Sequence, residues 1–230
     1  MSMDLQGRRI VISGGTGGLG TAVLQRFEEA GAICEVTTHG DSDVSRPRVN
    51  FHPLDVTNEE AVARFYAQLP DLWASIHLVG AFTMAPVIET SAQDMLKMFR
   101  TNTLSCFLCC REAVKAIRRA GKSSGGGGRI VNVAARPALV PTGGMIAYST
   151  SKAAVVSITQ CLAEEVKDDS ILVNAVAPSV MDTPANRRSM PTADFTKWPK
   201  VEQVAAAIAF LASPDNTLTS GAVMPVYGRA

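Results

Sequence analysis

Short runs of apolar residues alternate along the chain with longer amphipathic stretches. The short runs are rich in β-branched residues, which is typical of buried strands. They cover residues 9–13, 32–37, 76–79, 129–134, 172–177 and 222–226. In the stretches between them, apolar residues recur every three or four positions, as on one face of a helix. This spacing predicts helices over residues 18–30, 58–68, 91–120, 147–167 and 200–212.

This alternation predicts an α/β fold with a doubly wound parallel sheet of about seven strands and helices on both faces. The chain has 230 residues, of which 47% are hydrophobic, so it can bury one sizeable core. We expect a single domain over residues 1–230. The Ser/Gly-rich residues 122–128 are interpreted as a surface connection within that domain.

Charge and hydropathy exclude some classes of partner. The 22 basic and 21 acidic residues leave a net charge of +1, and the basic residues are scattered, so we expect no nucleic-acid partner. The first residues form no apolar leader, and no run of about 18 apolar residues follows. The sequence therefore predicts a soluble, cytoplasmic protein without a membrane segment.

Five cysteines raise the question of a metal or redox site. They are Cys34, Cys106, Cys109, Cys110 and Cys161. The spacing of Cys106 and Cys109 suits a zinc or redox motif, but both lie in an apolar run and no second ligand pair occurs at the matching spacing. Free cysteine is also among the most buried residue types. We therefore expect buried thiols and no metal.

A glycine-rich segment follows the first predicted strand directly and leads into the first predicted helix. Glycines permit a tight turn and a close approach of the backbone to a ligand, while the helix N-terminus favours a negative charge. A dinucleotide pyrophosphate is the ligand that this order of elements indicates. The candidate binding residues here are Ser13, Gly14, Thr16, Gly18, Leu19 and Gly20.

Tyr148 and Lys152 are four residues apart near the start of a predicted helix. This spacing places both side chains on one helix face, so the ammonium group of Lys152 can lie beside the phenol. A nearby cation favours phenolate and lowers the pKa of a tyrosine. We therefore interpret Tyr148 as a proton donor whose acidity Lys152 increases.

Taken together, these motifs resemble the short-chain dehydrogenase/reductase family over nearly the whole chain. The resemblance implies a Rossmann fold, a nicotinamide cofactor and a catalytic group of Tyr148, Lys152 and Asn102. In this group Lys152 also binds the nicotinamide ribose, and Asn102 anchors a water. Further cofactor contacts implied by the resemblance are Asp55, Val56, Gly80, Pro178, Val180 and Thr183, with Ser179 standing where the family has glycine.

Two departures from the family pattern concern the cofactor. After the fourth strand only Gly80 remains of the family's Asn-Asn-Ala-Gly segment, which here begins with His77, so we expect that turn to be stabilised differently. At the end of the second strand Thr38 and His39 stand where NAD-binding members carry an acid, and Glu35 lies too early. Because an acid there would repel a 2′-phosphate, the sequence favours NADP over NAD. His39, Arg46 and Arg48 are candidates for binding that phosphate, or are solvated loop residues.

A third departure concerns catalysis. The family serine that hydrogen-bonds the reacting carbonyl is replaced by Ala135, thirteen residues before Tyr148. Loss of one such donor costs about 2.7–4 kcal/mol in transition-state stabilisation. Three explanations stay open: another group donates, the substrate is already activated, or the protein is a poor catalyst.

The second explanation agrees with a local resemblance to dihydropteridine reductase, a family member that also lacks the serine. It rests on residues 182–198 and on Gly144, Met145 and Ile146 before Tyr148. It implies a substrate lid over about residues 180–199 and a quinonoid dihydropterin or other conjugated substrate. The candidate substrate contacts are Ala135, Arg136, Met145 and Arg187.

Alternative functions remain at this stage. One is a ketone, alcohol or ketoacyl reductase of the same family with another hydrogen-bond donor. Others are a nucleotide-binding regulatory protein with impaired catalysis, or a ligand-binding module without redox chemistry. The long apolar runs in the helices around residues 101–120 and 147–167 also suggest pairing with another copy, and related enzymes use these helices to form homodimers or homotetramers.

Overall fold

In the computed structural model, residues 4–40, 45–124 and 127–229 are described, and their seven strands form one parallel sheet. The strands are β1 (Arg9–Ser13), β2 (Ile33–Thr38), β3 (Val49–Pro53), β4 (Ala74–His77), β5 (Gly128–Val133), β6 (Ile171–Pro178) and β7 (Val223–Val226). The helices are α1 (Gly18–Glu29), α2 (Glu59–Gln68), α3 (Ala92–Met98), α4 (Ser105–Ser124), α5 (Ile146–Glu165), α6 (Pro184–Ser189) and α7 (Val201–Ala212). The predicted α/β class and strand number are confirmed.

The strand order in the sheet is β3-β2-β1-β4-β5-β6-β7. The order reverses between β1 and β4, because the chain crosses back over β1 after building the β2 and β3 side. In open sheets of this kind, the crevice outside the carboxyl ends of the strands at the reversal is where ligands bind. The turn after β1 and the loop after β4 border this crevice.

Two hydrophobic clusters cover the two faces of the sheet. One packs α2, α4 and α5 against the sheet, with Ile130 and Val173 fully buried. The other packs α1 and α7 against the opposite face, with Ile10 and Ile76 fully buried. The central strands are buried on both faces, which explains their continuous apolar runs.

Several predicted boundaries were wrong. Strand β3 was missed because it lies at the sheet edge and alternates polar residues such as Asn50 and His52 with apolar ones. Strand β4 begins two residues before the predicted start. The single helix predicted over residues 91–120 is three elements, since a π-helical turn, Phe99–Leu104, separates α3 from α4.

Residues 122–128, the Ser/Gly-rich stretch, were predicted to be a surface connection, but only part of this stretch is one. Helix α4 continues to Ser124 and β5 begins at Gly128, so the loop between them is shorter than predicted. Residues 125 and 126 of that stretch lie outside the described part of the chain. Among the described residues, no helix combines the length and the hydropathy that crossing a membrane requires.

Candidate active site

The turn between β1 and α1 brings the backbone into very close contact with itself. Gly14 has a φ of +77°, and a Cβ on Gly20 would lie 2.3 Å from the carbonyl oxygen of Gly14, so both positions require glycine. Gly17 is the N-cap of α1, makes no side-chain cap and is followed by no acidic residue in the first turn. The first amides of this 12-residue helix are thus available to an anion.

The hydroxyl group of Ser13 supports this turn from the sheet. It donates a hydrogen bond of 3.4 Å to the carbonyl oxygen of Ile76 and so joins β1 to β4 beside the reversal of strand order. Leu19 is buried in the core beneath α1, whereas Thr16 is exposed. Of the predicted residues, Ser13, Gly14, Leu19 and Gly20 therefore shape or support the turn, whereas Thr16 faces outward.

The segment after β6 lies next to the glycine turn. A Cβ on Gly18 would lie 3.3 Å from Cγ2 of Thr183. Thr183 begins α6, because its hydroxyl oxygen accepts a hydrogen bond of 3.1 Å from the amide of Asn186. Thr183, a predicted cofactor contact, therefore lies at the same end of the crevice as the glycine turn. Pro178 and Val180 precede it in the chain.

Asn102 and Lys152 converge on Gly80. A Cβ on Gly80 would lie 2.9 Å from Oδ1 of Asn102 and 3.1 Å from Nζ of Lys152. Asn102 lies in the π-helical turn, a feature frequent at functional sites. Its side chain accepts from the amide of Ala81 at 2.7 Å and donates to the carbonyl of Ala81 at 3.0 Å. It also donates to Oγ of Ser151 at 2.9 Å. Asn102 thus ties the loop after β4 to α5.

The ammonium group of Lys152 is buried at the carboxyl end of β5. It donates a hydrogen bond of 2.8 Å to the carbonyl oxygen of Val133. Burial lowers the pKa of Lys152 to about 8, while Cys106 acts in the opposite direction. Because this pKa is close to neutral pH, Lys152 can take up or release a proton near neutral pH.

The expected lowering of the Tyr148 pKa was wrong for this structure. Burial raises the pKa of Tyr148 to about 12, because the half-buried phenol loses hydration. Lys152 does share the helix face, but its ammonium group is directed to Val133. The ring of Tyr148 instead packs edge to face against Phe82, with centroids 5.0 Å apart.

Ala135 is buried with 4% of its surface exposed, in extended backbone at the start of a short 3₁₀ turn, Arg136–Ala138. Its methyl group offers no hydrogen-bond donor. Arg136 has its guanidinium over the ring of Tyr227, at 5.4 Å from the centroid. Met145 begins α5, beside the loop after β4, where the amide of Ala85 donates to the carbonyl of Gly144 at 2.8 Å.

Within residues 33–40, the described residues at and after β2, no side-chain carboxylate is directed to the crevice. Glu35 is buried and binds Arg9, Asn50 and His52, as its early position predicts. Burial would raise the pKa of Glu35, but these partners outweigh burial and lower it. His39 is exposed, and the hydroxyl of Thr38 donates to the carbonyl of Gly40 at 2.6 Å.

Arg46 and Asp55, two other candidates for binding the cofactor near the end of β2, already have partners within the protein. Arg46 forms an ion pair of 2.7 Å with Glu28. Asp55 accepts hydrogen bonds of 2.8 Å from both the amide and the hydroxyl of Thr57, which lower its pKa. Val56 is buried. Asp55 and Val56 thus form an ordered turn after β3, directly beside the end of β2, where the amide of Leu54 donates to the carbonyl of Thr38.

The predicted lid is an ordered segment with its own contacts. Arg187 of α6 makes two hydrogen bonds to Asp182, at 2.6 and 2.8 Å, and its guanidinium lies over the ring of Phe195. Arg187 was expected to contact substrate, but here it joins the two ends of the segment. Phe195 packs in turn against Trp198.

The sequence analysis missed two residues of the site, Phe82 and Ser151. Phe82 is 59% exposed although aromatic, and it covers the ring of Tyr148. Its position two residues after Gly80 was the available signal. Ser151 links Asn102 to the carbonyl of Tyr148, to which its hydroxyl donates at 2.7 Å. A serine inside a helix gave no such signal.

His77, the first residue of the segment that departs from the family pattern, bonds within the sheet. Its Nε2 lies 2.8 Å from Oγ of Ser75, and its Nδ1 lies 2.8 Å from Oδ1 of Asn132. The cysteine pair that the sequence suggested is separated, since Cys109 interacts with Tyr66 whereas Cys106 faces Cys110 at 4.0 Å.

Comparisons with known proteins agree with this geometry. The profile of the short chain dehydrogenase family matches residues 8–194. A short-chain type dehydrogenase/reductase of Picea abies is 28% identical over 255 residues, covering 97% of this chain and 92% of the relative. Cyclopentanol dehydrogenase of Comamonas testosteroni is 30% identical over 217 residues, covering 87% of this chain and 82% of the relative.

Among solved structures, ElxO with NADP bound is similar throughout. Its TM-score is 0.87 at 25% identity, with 97% of this chain and 98% of that chain covered. The family match extends over well more than half of the 230 residues and includes the glycine turn, Asn102, Tyr148 and Lys152. The chain therefore belongs to the short-chain dehydrogenase family of oxidoreductases.

Proposed function

We propose that this oxidoreductase transfers a hydride between a nicotinamide cofactor and a small conjugated substrate, with Tyr148 donating the proton. The observation that carries the proposal is the convergence of Asn102 and Lys152 on Gly80, one helical turn from Tyr148 and at the reversal of strand order. The arrangement is buried, with Lys152 5% exposed.

The residues present suit NAD(P). The first amides of α1 would bind the pyrophosphate, and Thr183 and Val180 would contact the carboxamide end, next to Gly18. Lys152 would bind the nicotinamide ribose with the ammonium group that now donates to Val133. When bound, the cofactor supplies or accepts the hydride. The chain's own task is to orient it and to deliver a proton.

Tyr148 is the group placed to deliver that proton. Its raised pKa keeps the phenol protonated at neutral pH but makes it a weaker acid, so donation in the reductive direction requires the phenolate to be stabilised. Proton loss to the substrate needs a cation nearby, and Lys152 is one turn away on the same helix face. Asn102 and Ser151 position that face, because their hydrogen bonds join α5 to the loop after β4.

NADP is the form of the cofactor that the residues favour. Thr37, Thr38 and His39 offer no carboxylate to a ribose diol, and Glu35, earlier on β2, is engaged with buried partners. His39 is exposed at this position and can face a 2′-phosphate. Arg46 is a weaker candidate because Glu28 already neutralises it. That ElxO binds NADP supports the same choice.

The substrate class follows from Ala135 and Phe82. Ala135 cannot stabilise an oxyanion, so a substrate that needs little such help is favoured. The rings of Phe82 and Tyr148 pack edge to face beside the hydroxyl group that donates the proton. This aromatic surface suits a flat, conjugated substrate. A quinonoid dihydropterin has both properties, since it is planar and gains aromatic stabilisation on reduction.

A second candidate is oxidation of a cyclic alcohol or reduction of the corresponding ring ketone. The relatives named cyclopentanol dehydrogenase and, from Sinomonas cyclohexanicum, cis-4-hydroxycyclohexanecarboxylate dehydrogenase favour it. It requires a donor in place of the missing serine.

The proposal also includes assembly into homodimers or homotetramers in the cytoplasm. Exposed apolar residues support assembly, such as Phe99 just before α4 and Phe107 on α4.

A cofactor-resolved activity screen tests the proposal. NADH and NADPH are each mixed with quinonoid dihydropterin, quinones and a panel of cyclic ketones, and nucleotide oxidation is followed. We expect turnover with NADPH and a conjugated substrate at higher kcat/KM than with any simple ketone. Turnover of ring ketones alone would favour the second candidate.

A further inference from the structure

Three soft metal ligands meet inside the protein, close enough to the proposed hydride-transfer site for Cys106 to act on the pKa of Lys152. His77 is the last residue of β4, while Cys106 and Cys110 lie one turn apart on α4. Each is at most 5% exposed. Their ligand atoms all lie within 4.8 Å of one another. The Cys106-x-x-Cys109 spacing did not indicate this group, because the fold pairs Cys106 with Cys110 rather than with Cys109.

Two of the three separations are close to those of a tetrahedral zinc site, and the third is within 4.8 Å. The two sulfur atoms are 4.0 Å apart, and Sγ of Cys110 lies 3.5 Å from Nδ1 of His77. With Zn–S bonds of about 2.3 Å and Zn–N bonds of about 2.05 Å, a tetrahedron separates two sulfurs by about 3.8 Å and sulfur from nitrogen by about 3.6 Å. Little movement would bring the three ligands onto one ion.

The surroundings of His77 resemble the outer shell of a metal site. Nε2 of His77 lies 2.8 Å from Oγ of Ser75, which in turn contacts the hydroxyl of Tyr66. Such a partner on the second ring nitrogen fixes the orientation of a ligating histidine. Metal at Nδ1 would require the ring proton to move to Nε2, from which it would be donated to Ser75.

Asn132 completes the group on the β5 side. Its Oδ1 lies 2.8 Å from Nδ1 of His77 and 3.4 Å from Sγ of Cys110. This oxygen is oriented inward because the amide nitrogen of Asn132 donates to Oγ1 of Thr159 at 2.9 Å. A carboxamide oxygen therefore lies next to the sulfur of Cys110 and the imidazole, where a fourth ligand is needed.

We propose that this group, the His77 cluster, binds one zinc ion. Cys106 and Cys110 bind as thiolates, His77 through Nδ1, and Oδ1 of Asn132 lies at the fourth position. Each thiol loses one proton on binding, and no electron is transferred. Two thiolates with an imidazole select zinc over the harder cations Mg²⁺ and Ca²⁺. The ion would join α4 to β4 and β5, and its binding does not require the proposed reaction.

Metal titration of the whole chain tests the proposal. Chelator-treated protein, kept reduced, is titrated with Co²⁺ and, in equilibrium dialysis, with Zn²⁺. We expect one equivalent of each metal, with thiolate-to-cobalt charge transfer and the strong visible absorption of a tetrahedral ion. Cys106→Ser and Cys110→Ser should abolish the charge-transfer band, while Cys161→Ser, which changes an exposed thiol, should leave it intact.

Ser75→Ala provides a finer test, because it removes the partner of His77 without removing a ligand. It should weaken zinc binding by about 10–100-fold. Absence of a one-equivalent cobalt spectrum, or an unchanged spectrum in both ligand variants, overturns the proposal.

A measurement on the unmodified protein covers the case in which the serine variants do not fold. Zinc should slow alkylation of Cys106 and Cys110 more than that of the buried thiols Cys34 and Cys109, as read by mass spectrometry. An equal effect on all four thiols, or no effect, overturns the proposal. Neither result depends on turnover, so the proposed function is tested separately.

Discussion

The ammonium group of Lys152 donates a hydrogen bond of 2.8 Å to the carbonyl oxygen of Val133. This contact fixes a buried cation at the carboxyl end of β5, one helical turn from Tyr148 and beside Gly80. Burial raises the pKa of the phenol, and the ammonium group, which is directed to the strand, does not offset that rise.

Burial of Lys152 makes stability depend on pH. Its pKa is about 8 in the folded chain and near 10.5 when unfolded, so the unfolded chain binds more protons between these values. The free energy of unfolding should therefore rise between pH 8 and 10.5 in the wild type relative to Lys152→Met. Urea unfolding at several pH values measures this difference. A difference that falls or stays constant over that window would contradict the assigned pKa.

Asn102 is expected to act as a structural link as well as a site residue. Asn102→Ala leaves both backbone polar groups of Ala81 and the hydroxyl of Ser151 without this partner. Each buried group left unsatisfied costs about 1–3 kcal/mol. Urea unfolding should show a larger loss for Asn102→Ala than for Ser151→Ala, which leaves the Ala81 contacts intact. Equal losses would mean that the Ala81 contacts contribute little.

Restoring a hydroxyl at Ala135 tests the explanation for its absence. Ala135→Ser should raise kcat/KM for simple ketones by up to about 10²–10³ and change that for conjugated substrates much less. Ala138→Ser, on the same 3₁₀ turn, is the control and should change neither. No gain on any ketone would show that the missing donor does not limit the reaction.

The cofactor preference is tested at His39. His39→Asp places a negative charge where the 2′-phosphate is proposed to lie, and like charges in contact cost several kcal/mol. The kcat/KM for NADPH should fall by about 10–100-fold, while that for NADH should rise or stay constant. Arg64→Gln, an exposed change on α2, serves as the control. An unchanged NADPH preference would remove His39 from the cofactor site.

Phe82 is expected to contribute to substrate binding. Phe82→Ala removes the ring that packs against Tyr148, so KM for a flat conjugated substrate should rise while nucleotide affinity stays unchanged. Phe210→Ala, which removes an exposed ring on α7, is the matched control. Steady-state kinetics and fluorescence titration with NADPH measure the two quantities. An equal effect of both variants on KM would contradict the assignment.

The central part of the fold and the order of the site residues could be predicted from the sequence because local signals agree there. Strands β1, β5 and β6 are mostly apolar, and Gly14 and Gly20 occupy positions that only glycine fits. Such requirements are local, so they are visible without knowledge of the packing. Edge strand β3 lacks them, because one of its faces is open and polar residues are tolerated there.

Interactions between distant residues could not be predicted in the same way. The π-helical turn at Asn102, the direction of the Lys152 ammonium group and the meeting of His77 with Cys106 and Cys110 depend on how helices pack over the sheet. Spacing along the chain predicted that Lys152 shares a face with Tyr148. It could not predict that the carbonyl oxygen of Val133 would lie within reach.

The most direct test of the account is turnover and nucleotide binding measured together in Tyr148→Phe. This variant removes the proton-donating hydroxyl but keeps the ring that packs against Phe82. We predict that turnover of every substrate active with the wild type is lost, while the dissociation constant for NADPH stays within about threefold of the wild-type value, a difference below 1 kcal/mol. Undiminished turnover in this variant would contradict the role of Tyr148 and the mechanism that depends on it.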